Sequence, residues 1–315
     1  MANRVRVPST ADLALARDVV RRHLVPSPVI PAPGLGDAVL KLETVQPTGS
    51  FKVRGALVAA NAVDDGTRVV TASAGNHGLG MAFAAAALGR EVTVVVPENA
   101  SRAKVSALRA FPVEVVRHGD GYDDAERHAL ALAAESGVFV SAYNDVDVIA
   151  GQSTIAGEVA AQVAGPVTLV CGVGGGGLCA GLSLWAADRE DMAVVGVEAE
   201  ASRAVSAAVR AGRRVPVPVG ATLADGLAGN LDDPCVTFGV IGAHAERLLA
   251  VSEDEIRAAM RWLFRHHGLV VEGSGAVGVA AALAGKLVPE PGRTTVFVLT
   301  GRNVSADVYR DVLGS

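Results

Sequence analysis

The 315-residue sequence predicts an α/β fold of mostly parallel strands with helices on both faces. Three observations carry that expectation. From Lys41 onward, short Val-rich runs alternate with longer Ala-rich runs of helical length, the pattern of βα units. Half of the residues are hydrophobic but only 4% are aromatic. The interior is therefore built from Ala, Val and Leu, as buried parallel strands under close-packed helices require. Finally, small-residue turns follow several strands, at the strand ends where such folds bind ligands.

Taken in order, Ser9 and Thr10 precede Ala11–His23, which reads as a capped amphipathic helix. Residues 25–34 carry four prolines and read as an irregular crossing segment. Strands are expected at Ala38–Leu42, Arg68–Ala72, Val92–Val96, Val113–Val116, Val138–Val140, Thr168–Cys171, Val194–Val197 and Val296–Leu299. Helices are expected at Val53–Val63, His77–Leu88, Ser101–Arg109, Tyr122–Ser136, Ile149–Val163, Leu178–Ala187, Glu253–His267 and Gly275–Ala284. The stretch Arg68–Tyr143 reads as a βαβαβαβ unit of its own. Residues 67–146 are therefore expected to form a small domain inserted into a large one made of 1–66 and 147–315.

Bulk properties exclude several classes. The net charge is −5 with no basic run, which argues against nucleic acid and anionic membranes as partners. Every apolar stretch is interrupted before it reaches transmembrane length. Met1–Arg6 lacks an apolar signal core, which points to the cytoplasm. The three cysteines (Cys171, Cys179, Cys235) show no CxxC spacing, so reduced buried thiols are expected in place of disulfides or zinc ligands.

Lys52 is the first chemistry-bearing residue. It lies in Pro47–Ala56, after the strand Ala38–Leu42 and before the apolar run Val53–Val63. Most lysines at such a junction are solvated charges. A half-buried one has a lowered pKa, and its neutral amine forms a Schiff base with a carbonyl. That makes a pyridoxal-phosphate enzyme a candidate.

Three turns bear on it. Thr168–Leu178 feeds an apolar strand through Gly174, Gly175, Gly176 and Gly177 into a helix. Consecutive glycines let backbone N–H groups close on an anion, and the helix N-terminus adds positive potential. A flexible linker is the alternative, but it would not join a strand to a helix in so few residues. The run is read neither as a G-x-G-x-x-G with a ribose acid nor as a Walker loop, since no Lys-Ser/Thr follows Gly177, so a single phosphate fits better than a nucleotide. The turn Ser73–His77 exposes backbone donors and the Asn76 amide. It either binds a carboxylate and a ring hydroxyl or simply caps the next helix. His77 alone reads more as a helix-surface or packing residue than as a catalyst. Thr300 follows Val296–Leu299, so its hydroxyl emerges at the strand's carboxyl end. Beside a Schiff-base lysine and a phosphate loop it becomes a candidate partner for a pyridine nitrogen.

The ordered set of Lys41–Ala56, Ala72–His77, Val148–Gln152, Gly174–Leu178, Gly196–Glu198, Thr222–Gly226 and Leu299–Asn303 resembles the fold-type II pyridoxal-phosphate family. The resemblance is to its threonine/serine dehydratase and serine racemase branch, with a tryptophan synthase β-like fold of two open, twisted, mostly parallel sheets. It implies that Lys52 carries the cofactor and then removes the substrate α-proton. Phe51 would stand beside the cofactor, and Asn76 would bond the ring hydroxyl. Gly174–Gly177 and the N–H of Leu178 would hold the phosphate, and Thr300 would face the pyridine nitrogen. Ser73, Ala74, Gly75 and His77 would surround the substrate carboxylate, with Asp225 and Gly226 on the opposite wall. Glu272, in Val271–Ala276, either sits near the ring or caps a helix.

The implied reaction is β-elimination of water from L-threonine, L-serine or a related β-hydroxy amino acid, in a homodimer. The alternatives are a β-replacement synthase of the cysteine-synthase kind and a catalytically silent cofactor- or amino-acid-binding protein. Three departures from the family pattern matter. Ala74 stands where racemases of the branch carry a serine hydroxyl, so racemisation is not expected. Glu198 is at most a remnant of a divalent-metal site, because Ala204 replaces the second carboxylate. Arg302 replaces a glycine and either reaches an anionic substrate group or points to solvent. With the sequence ending at Ser315, a regulatory domain is not expected.

Overall fold

The computed structural model describes residues 4–314. Of the N-terminal stretch read for a signal core, Met1–Asn3 lie outside the described residues. In chain order the elements are α1 (Thr10–His23), β1 (Val29–Pro31), β2 (Ala38–Leu42), α2 (Lys52–Asn61), β3 (Arg68–Ala72), α3 (Asn76–Leu88), β4 (Val92–Val96), α4 (Arg102–Arg109), β5 (Glu114–Arg117), α5 (Tyr122–Ser136) and β6 (Gly137–Phe139). They continue with α6 (Val146–Gln162), β7 (Val167–Gly172), α7 (Gly177–Ala186), β8 (Met192–Ala199), α8 (Ala204–Ala211), α9 (Thr237–His244), β9 (Arg247–Val251), α10 (Glu253–His267), α11 (Gly273–Leu283), β10 (Thr294–Leu299) and α12 (Ala306–Gly314). Single 3-10 turns lie at Glu43–Val45 and Asp225–Leu227.

The strands form two sheets. One has the order β1-β2-β10-β7-β8-β9, parallel except for the antiparallel edge β1. The other has the order β5-β4-β3-β6 and is wholly parallel. Central strands β4 and β7 are buried at every residue, which is why they read as unbroken apolar runs and not as alternating ones.

Five elements lie outside the sequence expectation. β1 falls in the proline-rich stretch; Pro31 is tolerated there because an edge strand does not need every N–H. β9 is a half-buried edge strand whose run Arg-Leu-Leu-Ala-Val lacks alternation. α8, α9 and α12 have eight or nine residues each, too few turns for a clear helical period.

Helix α2 is the pivot between the sheets. It packs on α3, which covers the four-stranded sheet, and on α6, which belongs to the six-stranded side. Every residue from Val53 to Ala60 is buried. The α2–α6 approach is close enough that a Cβ on Gly151 would meet the Gly55 Cα at 2.5 Å.

A buried ionic network fixes the start of α2. Arg54, fully buried, donates to both oxygens of Glu43 at 2.8 Å each and to Glu158 on α6 at 2.7 and 2.8 Å. Lys41 on β2 donates to the same Glu158 at 2.6 Å and to Gln162 at 2.8 Å. The two cations face two carboxylates, so the cluster is neutral. Such a network adds little net stability, but it is costly to break, because a lone buried charge remains. It ties strand β2 and helices α2 and α6 into one frame.

Candidate active site

The loop bearing Lys52 is held against the loop that follows β10. Phe51 N–H donates to the Thr300 carbonyl at 2.9 Å, and Arg302 N–H donates to the Gly49 carbonyl at 2.9 Å. Gly49 takes φ 73°, a left-handed turn conformation that favours glycine. Lys52 is the first residue of α2, half-buried, with its Nζ donating to the Ala142 carbonyl at 2.8 Å. Burial pulls its pKa from the ordinary lysine value down to about 8, opposed by the nearby Glu272 carboxylate. The Phe51 ring centroid lies 5.3 Å from the amine. Thr300 is 4% exposed, and its hydroxyl makes no hydrogen bond among the described residues.

The glycine run joins the carboxyl end of β7 to α7. Among the described residues, the N–H groups of Gly174, Gly175 and Gly176 have no acceptor, nor have those of the first helical residues Gly177 and Leu178. Their side chains are absent because the space is taken. A Cβ on Gly174 would meet the Leu227 Cα at 2.8 Å, one on Gly175 would overlap the Tyr143 ring, and one on Gly177 would meet the Tyr143 carbonyl at 2.6 Å. Gly176 takes φ 89°, which L side chains rarely adopt. The Thr237 hydroxyl donates to the Gly175 carbonyl at 2.6 Å. The loop is thus braced from behind while its donors, with the positive end of α7, remain available for an anion.

The turn after β3 is engaged more heavily than a helix cap would be. The Asn76 amide donates to Glu272 Oε1 at 2.8 Å and accepts from Asn303 Nδ2 at 2.7 Å. The Asn303 backbone N–H donates to Glu272 Oε2 at 3.1 Å. Asn76 keeps its second amide proton for a ligand. Glu272 occupies the N-cap position of α11 but makes no capping bond; its carboxylate turns to Asn76 instead. Burial and then Asp225 raise its pKa to about 7, against the hydrogen bonds from Asn76 and Asn303. Ser73 accepts from the Gly75 N–H at 3.1 Å, and Ala74 offers only a methyl group beside it. His77 is 2% exposed, with neither ring nitrogen hydrogen-bonded. Burial and the nearby Lys52 hold its pKa down to about 3, so its ring is neutral.

Asp225 and Gly226 form the 3-10 turn packed on Gly174. Gly226 N–H is fixed by the Ser274 hydroxyl at 3.0 Å. Asp225 is exposed and lies 3.7 Å from Lys104 on α4, across from the four-stranded sheet. Arg302 is exposed, and its side chain pairs with no carboxylate among the described residues. Glu198 lies apart from this cluster. Its carboxylate is fully buried and accepts from the Val205 and Ser206 N–H groups at 3.0 and 3.2 Å, and from the Ser206 hydroxyl. It serves the N-terminus of α8, and no cluster of three or more metal-ligating side chains occurs among the described residues.

The fold therefore gathers Lys52, Phe51, Asn76, Thr300, the glycine run and the Asp225 turn at the carboxyl ends of β2, β3, β7 and β10. Sequence reasoning missed Tyr143, Ala142, Asn303 and Lys104. An aromatic residue four positions past β6 carries no signal of its own, and Ala142 acts through its backbone. Pyridoxal phosphate fits what is present. Orphaned N–H groups await an anion, a low-pKa amine lies beside an aromatic ring, and the Thr300 hydroxyl lacks a protein partner.

Comparison with known proteins agrees. The model of the family described as "Pyridoxal-phosphate dependent enzyme" matches residues 20–301. The chain is similar to the L-threonine ammonia-lyase of Thermotoga maritima, with 36% identity over 308 residues, 96% of this chain and 76% of that one. It is also similar to the biosynthetic L-threonine dehydratase of Burkholderia multivorans, with 40% identity over 288 residues. That match takes in 87% of this chain but only 56% of the relative's length. Among solved structures, maize serine racemase superposes with a TM-score of 0.88 at 25% identity, covering 98% of each chain.

Proposed function

The chain belongs to the pyridoxal-phosphate dependent enzyme family, and from that premise we propose that it is an ammonia-lyase acting on L-threonine, L-serine or a related β-hydroxy amino acid. The products are a 2-oxo acid and ammonia. The observation that carries this reading is the Lys52 amine, with a pKa of about 8, beside Asn76, Glu272, Thr300 and the donor-lined glycine loop. The names of the similar proteins point to the same lyase chemistry.

When bound, pyridoxal phosphate supplies an electron sink for the substrate α-carbon. The rest falls to this chain. Gly174–Gly177 and Leu178 would hold the phosphate through backbone N–H groups, and Phe51 and Asn76 would orient the ring. Thr300 would offer the ring nitrogen a neutral hydroxyl in place of a carboxylate, which would favour loss of a β-substituent. Backbone donors of Ser73–His77 hold the substrate carboxylate, and the Asp225–Gly226 turn closes the opposite wall. Lys52 Nζ takes the α-proton, and that proton and the β-hydroxyl are together lost as water. The released enamine tautomerises and hydrolyses to the 2-oxo acid and ammonia without further help from the protein.

A panel of β-hydroxy amino acids, scored for 2-oxo acid release, tests this reading. Release from L-threonine or L-serine is expected. No release from any member, with synthesis of a thiol amino acid from O-acetylserine and sulfide, would replace it by β-replacement. A cytoplasmic setting and a homodimer belong to the same proposal, with light scattering of the purified protein as the test of assembly. Weakened or absent binding of divalent metal is also part of it, given how Glu198 is engaged.

A further inference from the structure

The segment Ser141–Asp145, which crosses from β6 to α6, touches both places where the cofactor would be anchored. Its Ala142 carbonyl accepts from the Lys52 amine at 2.8 Å. One residue on, the Tyr143 ring occupies the position of any side chain at Gly175, and the Tyr143 backbone lies against Gly177. The segment is itself pinned. Tyr143 Oη accepts from the Asp232 N–H at 2.6 Å, and Ser141 Oγ donates to the Asp232 carboxylate at 3.1 Å. Asn144 donates to the Pro234 carbonyl at 2.7 Å and accepts from the Val236 N–H at 3.0 Å.

We propose that Tyr143 is a positioning residue for the cofactor phosphate, bracing the glycine loop so that its N–H groups converge, and that the rigid Ala142–Tyr143 pair sets the spacing between the phosphate site and the Lys52 amine. The physical ground is that a run of four glycines has no conformational preference of its own. Its donors converge only if something outside the run fixes them, and an ordered loop binds without the entropy cost of ordering. The Thr237 hydroxyl and Leu227 brace the same loop. Of these three braces, Tyr143 is the one covalently next to Ala142, whose carbonyl holds the lysine. This inference rests on the cofactor reading above.

The test is equilibrium binding to apo-protein of pyridoxal phosphate and of pyridoxal, which lacks the phosphate, with no activity measured. Wild type should bind the phosphorylated ligand at least about tenfold more tightly; failure to bind either ligand would sink the cofactor reading and this inference with it. Tyr143→Ala should cut that phosphate advantage about tenfold while leaving pyridoxal affinity within about twofold. Tyr143→Phe, which keeps the ring, should retain most of it. If Tyr143→Ala does not fold, Gly175→Ala probes the same contact, because its methyl group would overlap the ring; the same loss is expected. Wild-type binding with an unchanged ratio in both Tyr143→Ala and Gly175→Ala, or an equal loss for both ligands, overturns the inference and leaves the cofactor reading standing.

Discussion

At the scale of single residues, the account turns on how burial and Glu272 set the protonation of Lys52. A lysine with a pKa of about 8 is neutral in about a tenth of molecules at pH 7, against about three in ten thousand at the ordinary value. Burial favours the neutral amine, and the Glu272 carboxylate favours the ammonium. The rate at which apo-protein takes up the aldehyde cofactor should therefore rise with pH and level off above about 8. Glu272→Gln removes the charge that stabilises the ammonium, so the edge of that profile should move to lower pH. An edge that stays put or rises would show that Glu272 does not act on Lys52. Ala74 makes a second prediction. Ala74 carries only a methyl group where the resemblance implies a racemase would carry a serine hydroxyl, and a methyl group cannot return a proton. Chiral chromatography of L-serine incubations should show 2-oxo acid but negligible D-serine, and rapid D-serine formation would contradict the role given to Ala74.

At the scale of elements, α2 places the lysine and Arg54 places α2. Arg54→Met leaves Glu43 and Glu158 facing each other without their shared cation. The expected cost is about 3–5 kcal/mol in denaturant unfolding, the range for breaking a buried ion pair. A loss below about 1 kcal/mol would mean that the network is dispensable. The pH dependence has a definite sign. Burial alone would raise the Glu43 pKa, but Arg54 and Ser27 pull it below the ordinary carboxylate value. Its contribution to stability is thus present above about pH 4.5 and is lost as pH falls below it. Helix α8 makes a different point. Glu198 already accepts three hydrogen bonds from its first turn, and Ala204 offers no second carboxylate. Calorimetric titration with Mg²⁺ or Mn²⁺ should show no tight binding, and a tight isotherm would reverse that reading.

What the sequence disclosed at this scale follows from locality. Lys52 opens a helix in a strand-to-helix connection, and the glycine run and Thr300 follow directly on strands, so each stood out from its neighbouring residues as a candidate. The bridge from Asn76 through Glu272 to Asn303 joins three turns far apart in the chain, and no local pattern announces it. It also resolves the two readings of Glu272 in favour of the site, since its carboxylate faces Asn76 and makes no cap. The edge strands β1 and β9 escaped notice because each is short and only half-buried, so neither alternation nor a continuous apolar run marks it.

At the scale of the molecule, two parallel sheets meet at α2, and the candidate site opens where the carboxyl ends of both converge. Asn76 comes from the four-stranded side, and Thr300 and the glycine loop from the six-stranded side. The Ala142–Tyr143 crossing touches both the Lys52 amine and the glycine loop. The central claim is that this convergence makes Lys52 the cofactor-bearing base of an ammonia-lyase. The most direct measurement is 2-oxo acid and ammonia release from L-threonine by wild type and Lys52→Ala, recorded alongside the visible absorbance that borohydride abolishes. The account predicts equimolar 2-oxobutanoate and ammonia with that absorbance in wild type, and the loss of both in Lys52→Ala. Retention of either by the variant would contradict it.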